Sequence, residues 1–143
     1  MATFSLEEKI LKVNKKNFKY IQKGKGQLVL MIHGWPENCN SWLNQISFIA
    51  KLGYKAVAIN VRGYADSYSP HTIQSYKLKF FMEDIIDVIN YFNKENAILV
   101  GHDWGAPICW TTAAYYKEKV TAVIGLSVPF TLSLIHISEP TRP

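Results

Sequence analysis

The residues best placed to do chemistry lie in Gly101-His102-Asp103-Trp104-Gly105. An apolar run, Ala97-Ile98-Leu99-Val100, leads into them, and a helix-like run from Ala106 to about Lys119 follows. A strand, a tight turn and a helix, with glycines around an acid at the apex, is the pattern of a nucleophile elbow. Such a turn holds one side chain up at the end of a sheet, and the small neighbours prevent clashes. Asp103 stands where the commonest elbow has serine. A carboxylate, with a reference pKa of about 3.9, is ionised at neutral pH and attacks without a base. If it displaces a leaving group from a saturated carbon, the product is an ester whose acyl carbon belongs to the protein. Water can then attack that carbonyl, release an alcohol and restore the acid. A serine attacking the same carbon would leave an ether, closed to acyl chemistry. The residue type therefore points to hydrolysis at an alkyl carbon, such as an epoxide or a carbon–halogen bond. An aspartate at a strand-to-helix junction is also an ordinary N-cap, and both readings stand at this point.

The elements that would position this turn follow from hydrophobic patterning. Ile10 to Ile21 reads as two strands joined at Asn14-Lys15-Lys16-Asn17, and Gly24-Lys25-Gly26 as the next turn. That turn is not a dinucleotide fingerprint, since no third glycine or helix follows at the needed spacing. Within Gln27 to Ile32 the run Leu28-Val29-Leu30-Met31-Ile32 is continuously apolar, as in a strand buried on both faces of a parallel sheet. Ser41 reads as the cap of a helix to about Leu52, with Trp42, Ile46, Ile49 and Ala50 inward and Gly53 as the stop. Ala56–Ile59 is the next strand. A long helix is predicted from Thr72 to Phe92, its stripe formed by Phe81, Ile85, Val88, Ile89 and Phe92. Glu83, Asp84 and Asp87 fall off that stripe and read as a solvated face rather than a metal cluster. A last strand is expected around Val120–Leu126. Strands alternating with helices predict an α/β fold: a doubly wound, mostly parallel sheet with helices on both faces.

Composition narrows the partners. The 143 residues are 48% hydrophobic, enough for one compact domain, and carry a net charge of +5. Seven lysines and two glutamates fall within the first 26 residues, while the remainder balances nine basic against nine acidic. The excess is a local patch, read as the outward face of a strand pair. No zinc-ligand cluster, RNA-binding motif or arginine stripe accompanies it, so neither nucleic acid nor membrane is expected as a partner. Cys39 and Cys109 lie far apart in no metal-ligand spacing and read as reduced thiols. The start has no apolar signal core and no stretch approaches a membrane span, so a cytoplasmic protein is expected. No metal or cofactor site is expected.

Three signals stand in order at predicted strand ends: His33-Gly34-Trp35-Pro36-Glu37, Arg62-Gly63-Tyr64-Ala65-Asp66-Ser67, and the elbow. Together they resemble the α/β-hydrolase superfamily and, within it, the soluble epoxide hydrolases, from about residue 10 to Phe130. The resemblance implies that Asp103 is the nucleophile and that the backbone N–H groups of Trp35 and Trp104 form its oxyanion hole. It further implies a cis peptide before Pro36, an apolar pocket walled by the Trp35 and Trp104 rings, and a small apolar electrophile such as an epoxide as substrate. His33, Gly34, Pro36, Arg62, Gly63, Gly101, His102 and Gly105 would support the motifs. His33 would shape its loop and His102 would flank the nucleophile, so neither is the general base. One departure is Ala65, where the family usually has glycine. If that position needs a positive φ, alanine costs about 1 kcal/mol. A haloalkane dehalogenase uses the same nucleophile, but usually has asparagine where Trp35 stands. A relative without catalysis, serving ligand binding or protein contact, is the remaining class.

After Phe130 the resemblance stops. Residues 132–143 look like the translation of a transposase-type sequencing adapter. Residues 1–131 are accordingly read as the N-terminal part of a hydrolase core, without the family's cap, triad acid and base histidine. As such the chain is expected to be an inactive fragment, its Val120–Leu126 strand an unprotected sheet edge. His136, inside the tail, is not offered as the base.

Overall fold

The structure is a computed structural model that describes residues 6–130. The tail read as adapter-derived lies outside the described residues. Six strands form one sheet in the order β1-β2-β4-β3-β5-β6. They are β1 (Lys9–Val13), β2 (Lys16–Lys23), β3 (Leu28–Ile32), β4 (Lys55–Ile59), β5 (Ala97–His102) and β6 (Val120–Leu126). The pairs β1–β2 and β2–β4 are antiparallel; β4–β3, β3–β5 and β5–β6 are parallel. The first hairpin turns on Asn14 and Lys15, at φ 48° and 62°. Two successive positive φ values match the right-handed twist of the flanking strands.

Three helices follow the parallel strands: α1 (Leu43–Lys51), α2 (Leu78–Tyr91) and α3 (Gly105–Tyr115). A strand–helix–parallel strand crossover is right-handed almost without exception. The chain steps from β3 to β4 in one direction, then from β4 past β3 to β5 and on to β6 in the other. That reversal puts α1 on one face of the sheet and α2 and α3 on the opposite face. Two cores result. Under α1 lie Ile21, Val29, Met31, Trp42, Ile46, Ala56 and Ala58. Under α2 and α3 lie Phe18, Leu28, Leu30, Ile32, Val57, Ile59, Ile85, Val88, Ile89, Leu99 and Ile108. The alternation along β3 serves both, which is why all five of its residues are buried.

Several sequence expectations need correction. Ser41 does not start a helix. Asn38 caps a short 3-10 helix, Cys39–Trp42, by accepting from the Asn40 N–H, and α1 begins only after it. The long helix from Thr72 is broken: a 3-10 turn covers Ile73–Tyr76, Lys77 is extended, and α2 starts at Leu78. Asp84 is not on a solvated face. It is 3% exposed and takes Arg62 Nε and Nη2, each at 2.7 Å, and Lys16 Nζ at 2.6 Å. Asp87 shares the Lys16 ammonium at 2.7 Å. Nor do all N-terminal lysines simply face water, since Lys16 and Lys19 are both ion-paired. Helix α3 ends at Tyr115 rather than Lys119. Ala65 is not among the residues with positive φ; Gly63 and Asp66 take those turns, at 88° and 63°, so alanine carries no such strain.

Among the described residues, no helix is long and apolar enough to cross a membrane. Both cysteines are free and buried.

Candidate active site

The reversal of chain direction fixes where a site can form. Crossovers leave β3 and β5 toward opposite faces, so a crevice opens between the loops at their C-terminal ends. The register Ile32↔Gly101 brings those ends level. The loop after β3 is His33-Gly34-Trp35-Pro36, and the turn after β5 is Asp103-Trp104.

Asp103 has φ 52°. A side chain is disfavoured in the left-handed region, by roughly 1–2 kcal/mol, although aspartate tolerates it better than most. The conformation lifts the carboxylate off the end of β5. Its backbone is tied on both sides, N–H to Leu126 O at 3.2 Å and C=O from Ala106 N at 3.1 Å. Two glycines make room. A Cβ on Gly34 would sit 2.4 Å from the Asp103 Cβ, and one on Gly105 would sit 2.1 Å from the Ile32 carbonyl oxygen. The second close approach lets α3 start directly against β3.

The N-cap reading of Asp103 does not describe this geometry. Trp104 is the N-cap of α3, and no side chain caps that helix. The carboxylate instead reaches across the crevice, where Trp35 N donates to Oδ2 at 3.2 Å. Hydrogen bonds from the Trp104 and Trp35 backbones, with a smaller contribution from His102, hold the Asp103 carboxyl below the usual carboxylate range. The Trp35–Pro36 peptide is cis.

The two histidines are committed elsewhere. His33 is 1% exposed. Its Nε2 accepts from Val61 N at 3.1 Å, which leaves Nδ1 to donate to Gly34 O at 2.9 Å. Burial depresses its pKa, against an opposing pull from the Gly34 carbonyl. The ring thus joins the loops after β3 and β4. His102 pairs through Nδ1 with Glu37 Oε2 at 3.0 Å, tying the elbow to the first loop. Arg62 and Gly63 support the third loop, Arg62 through Asp84 and through Nη1 to Ser75 O at 2.5 Å. The indoles of Trp35 and Trp104 are 70% and 69% exposed. The described residues therefore supply the floor and lip of a site, with the rings standing in solvent.

Sequence reasoning quoted Tyr64 and Glu37 within their motifs but gave neither a place in the site. Tyr64 packs edge-on against His33, with centroids 4.4 Å apart, and approaches Trp35 at 6.3 Å. Its phenol is pushed up, first by burial and then by the charge of Asp103. An aromatic directly after Arg-Gly in a strand-end loop was the available signal.

An acid on a strained strand-to-helix turn, at the reversal point of a doubly wound sheet, defines a class of protein. The family model described as alpha/beta hydrolase fold matches residues 27–140, and the chain belongs to that family. It is 42% identical over 105 residues to epoxide hydrolase B of Mycobacterium tuberculosis, covering 73% of this chain and 30% of that protein. It is 34% identical over 119 residues to bifunctional epoxide hydrolase 2 of Sus scrofa, covering 83% and 21%. An epoxide hydrolase from Vigna radiata superposes with a TM-score of 0.84 at 38% identity, over 88% of this chain and 41% of that one. An epoxide hydrolase from an endophytic Streptomyces gives 0.85 at 36%, over 88% and 38%. The chain spans less than half the length of each of these proteins.

Proposed function

We propose that this chain carries the nucleophile of an epoxide hydrolase, with Asp103 attacking an epoxide carbon of a small apolar substrate. The observation that carries the reading is the Trp35 N–H on Asp103 Oδ2. With Oδ2 so held, Oδ1 is the attacking oxygen. It forms a bond to one ring carbon, the ring C–O bond breaks, and the alkoxide takes a proton from water, leaving hydroxide to solvent. The product is a hydroxyalkyl ester of Asp103. Water then adds to the ester carbonyl, and negative charge gathers on Oδ2. The Trp35 N–H is already aimed there and the Trp104 N–H bonds the same carboxyl; an oxyanion donor is worth about 3–4 kcal/mol to such an intermediate. Collapse expels the Oδ1–carbon unit as the vicinal diol and restores the carboxylate. Since His33 and His102 are bound to other groups, the base that activates water is not one of these two. No step needs a cofactor. Free thiols at Cys39 and Cys109 support a reducing, cytoplasmic setting, without nucleic acid or membrane as partner.

The first half-reaction tests the reading, because it needs no base. Incubation with styrene oxide should add the mass of one epoxide to the peptide containing Asp103, and Asp103→Asn should abolish the addition. In heavy-oxygen water, hydrolysis of that ester should place the label in Asp103 and leave the diol unlabelled. Modification confined to other residues overturns the proposal. Ester formation from a chloroalkane but not from styrene oxide would replace the epoxide with a carbon–halogen substrate.

A further inference from the structure

We propose that Tyr64 is a positioning residue of this site: its ring braces the loop after β3 and thereby sets the Trp35 N–H against Asp103. The inference rests on the reading of Asp103 above where it concerns ester hydrolysis, but not where it concerns the resting geometry.

The loop that presents the Trp35 N–H has little of its own to hold it. Gly34 has no side chain, and the Trp35 ring is 70% exposed. Besides the turn bond Glu37 N to Gly34 O, at 2.9 Å, and the Glu37–His102 pair, at 3.0 Å, its purchase on the fold comes through His33 and through Tyr64. Tyr64 meets the His33 ring at 4.4 Å and 77°, and the Trp35 ring at 6.3 Å and 60°. Both are edge-on arrangements, the favourable geometry for aromatic pairs. One ring therefore touches the two residues that flank Gly34.

The mount of Tyr64 is rigid. Its N–H donates to Val61 O at 3.2 Å and its C=O accepts from Ser67 N at 3.0 Å. Val61 N in turn donates to His33. The preceding Arg62 is clamped by Asp84, with Tyr68, Phe80 and Phe81 around its guanidinium at 5.2, 5.4 and 5.9 Å. Tyr64 thus follows, two residues on, a side chain locked in a buried ion pair. Fixed supports of this kind are what a preorganised donor requires, since a shift near 1 Å costs on the order of a hundredfold in rate.

The ring, not the hydroxyl, makes these contacts. Tyr64→Phe should therefore behave as the parent, and Tyr64→Ala should let the loop drift. Two readouts separate this from a merely structural role. In the resting protein, carboxyl NMR titration should show Asp103 moving back toward the ordinary carboxylate range in Tyr64→Ala only. In the ester preformed with styrene oxide, Tyr64→Ala should slow hydrolysis about tenfold or more, with ester formation not slowed, because attack on the epoxide draws charge away from the carboxylate whereas water addition concentrates it on Oδ2. If Tyr64→Ala loses its cooperative melt, Tyr64→Leu fills the space without the aromatic edges and takes its place. Parent-like Asp103 titration in the Ala or Leu variant overturns the proposal. So does a Phe variant as impaired as Ala. If no ester forms on Asp103 in the parent, the nucleophile reading fails, while the titration still decides the role of Tyr64.

Discussion

Asp84→Asn probes the buried charge cluster that anchors the loop after β4. Asp84 and Arg62 are 3% and 4% exposed. The carboxylate receives two Arg62 bonds at 2.7 Å and one from Lys16 at 2.6 Å. Removing one partner of a buried ion pair costs about 3–5 kcal/mol, because the other charge is left without compensation. Asparagine keeps the shape and one acceptor, and Asp87 still holds Lys16 at 2.7 Å. The expected loss is therefore about 2–4 kcal/mol. The aromatic groups around Arg62 do not make up the difference, since a cation–π contact contributes about 0.5–2 kcal/mol and is already present. Removing both charges is a different perturbation. Arg62→Met with Asp84→Leu should recover most of the loss, because apolar replacement of a buried pair is often neutral. Urea midpoints at constant m-value for the parent, Arg62→Met, Asp84→Leu and the double variant give the coupling. We expect at least about 2 kcal/mol of non-additivity. An Asp84→Asn variant within about 0.5 kcal/mol of the parent, or additive single variants, would refute the reasoning and return Asp84 to a solvated helix face.

Gly105→Ala should destabilise, against helix propensity. Alanine in a helix gains about 1 kcal/mol over glycine, but the new Cβ would meet Ile32 O at 2.1 Å, so we expect a net loss of about 1–3 kcal/mol by denaturant titration. His33 has a depressed pKa, chiefly from burial. Below its unfolded value of about 6.5 the unfolded chain binds a proton that the folded chain does not. Its contribution is thus complete above that pH and lost as pH falls; stability in His33→Gln should depend less on pH in the window just below it. Burial raises the Cys39 thiol to about 11 and pushes Cys109 up further. Neither should react with iodoacetamide in the folded protein, and both should react in urea, as mass spectrometry would show.

The strands and the elbow turn were legible in the sequence because each depends on local pattern. The unbroken apolar run Leu28–Ile32 is what a strand covered on both faces needs, and β6 falls on Val120–Leu126 as the pattern predicts. An acid bracketed by glycines at a strand end announced a tight turn, and the turn is there with Asp103 at φ 52°. Periodicity failed where a long-range partner overrode it. By spacing, Asp84 lies off the apolar stripe; only Arg62, 22 residues away, and Lys16, 68 away, explain how a carboxylate can be buried there. The cap at Asn38 and the break at Lys77 were missed for a related reason. Beside Asn38, Cys39 N donates to Asn60 Oδ1, 21 residues away, and Lys77 is extended with no side-chain cap to mark it.

The sequence by itself determined that a charged oxygen would stand at the end of a strand, because residue type and local backbone suffice for that. Only the tertiary structure decided what faces it. The Trp35 N–H lies 68 residues from Asp103 in the chain. It arrives there because opposed crossovers open a crevice between β3 and β5, and because Gly34 admits the approach. Tyr64 enters by the same route, as a neighbour in space through His33. Contacts of this kind arise from chain reversal and packing, which leave no period in the sequence to read.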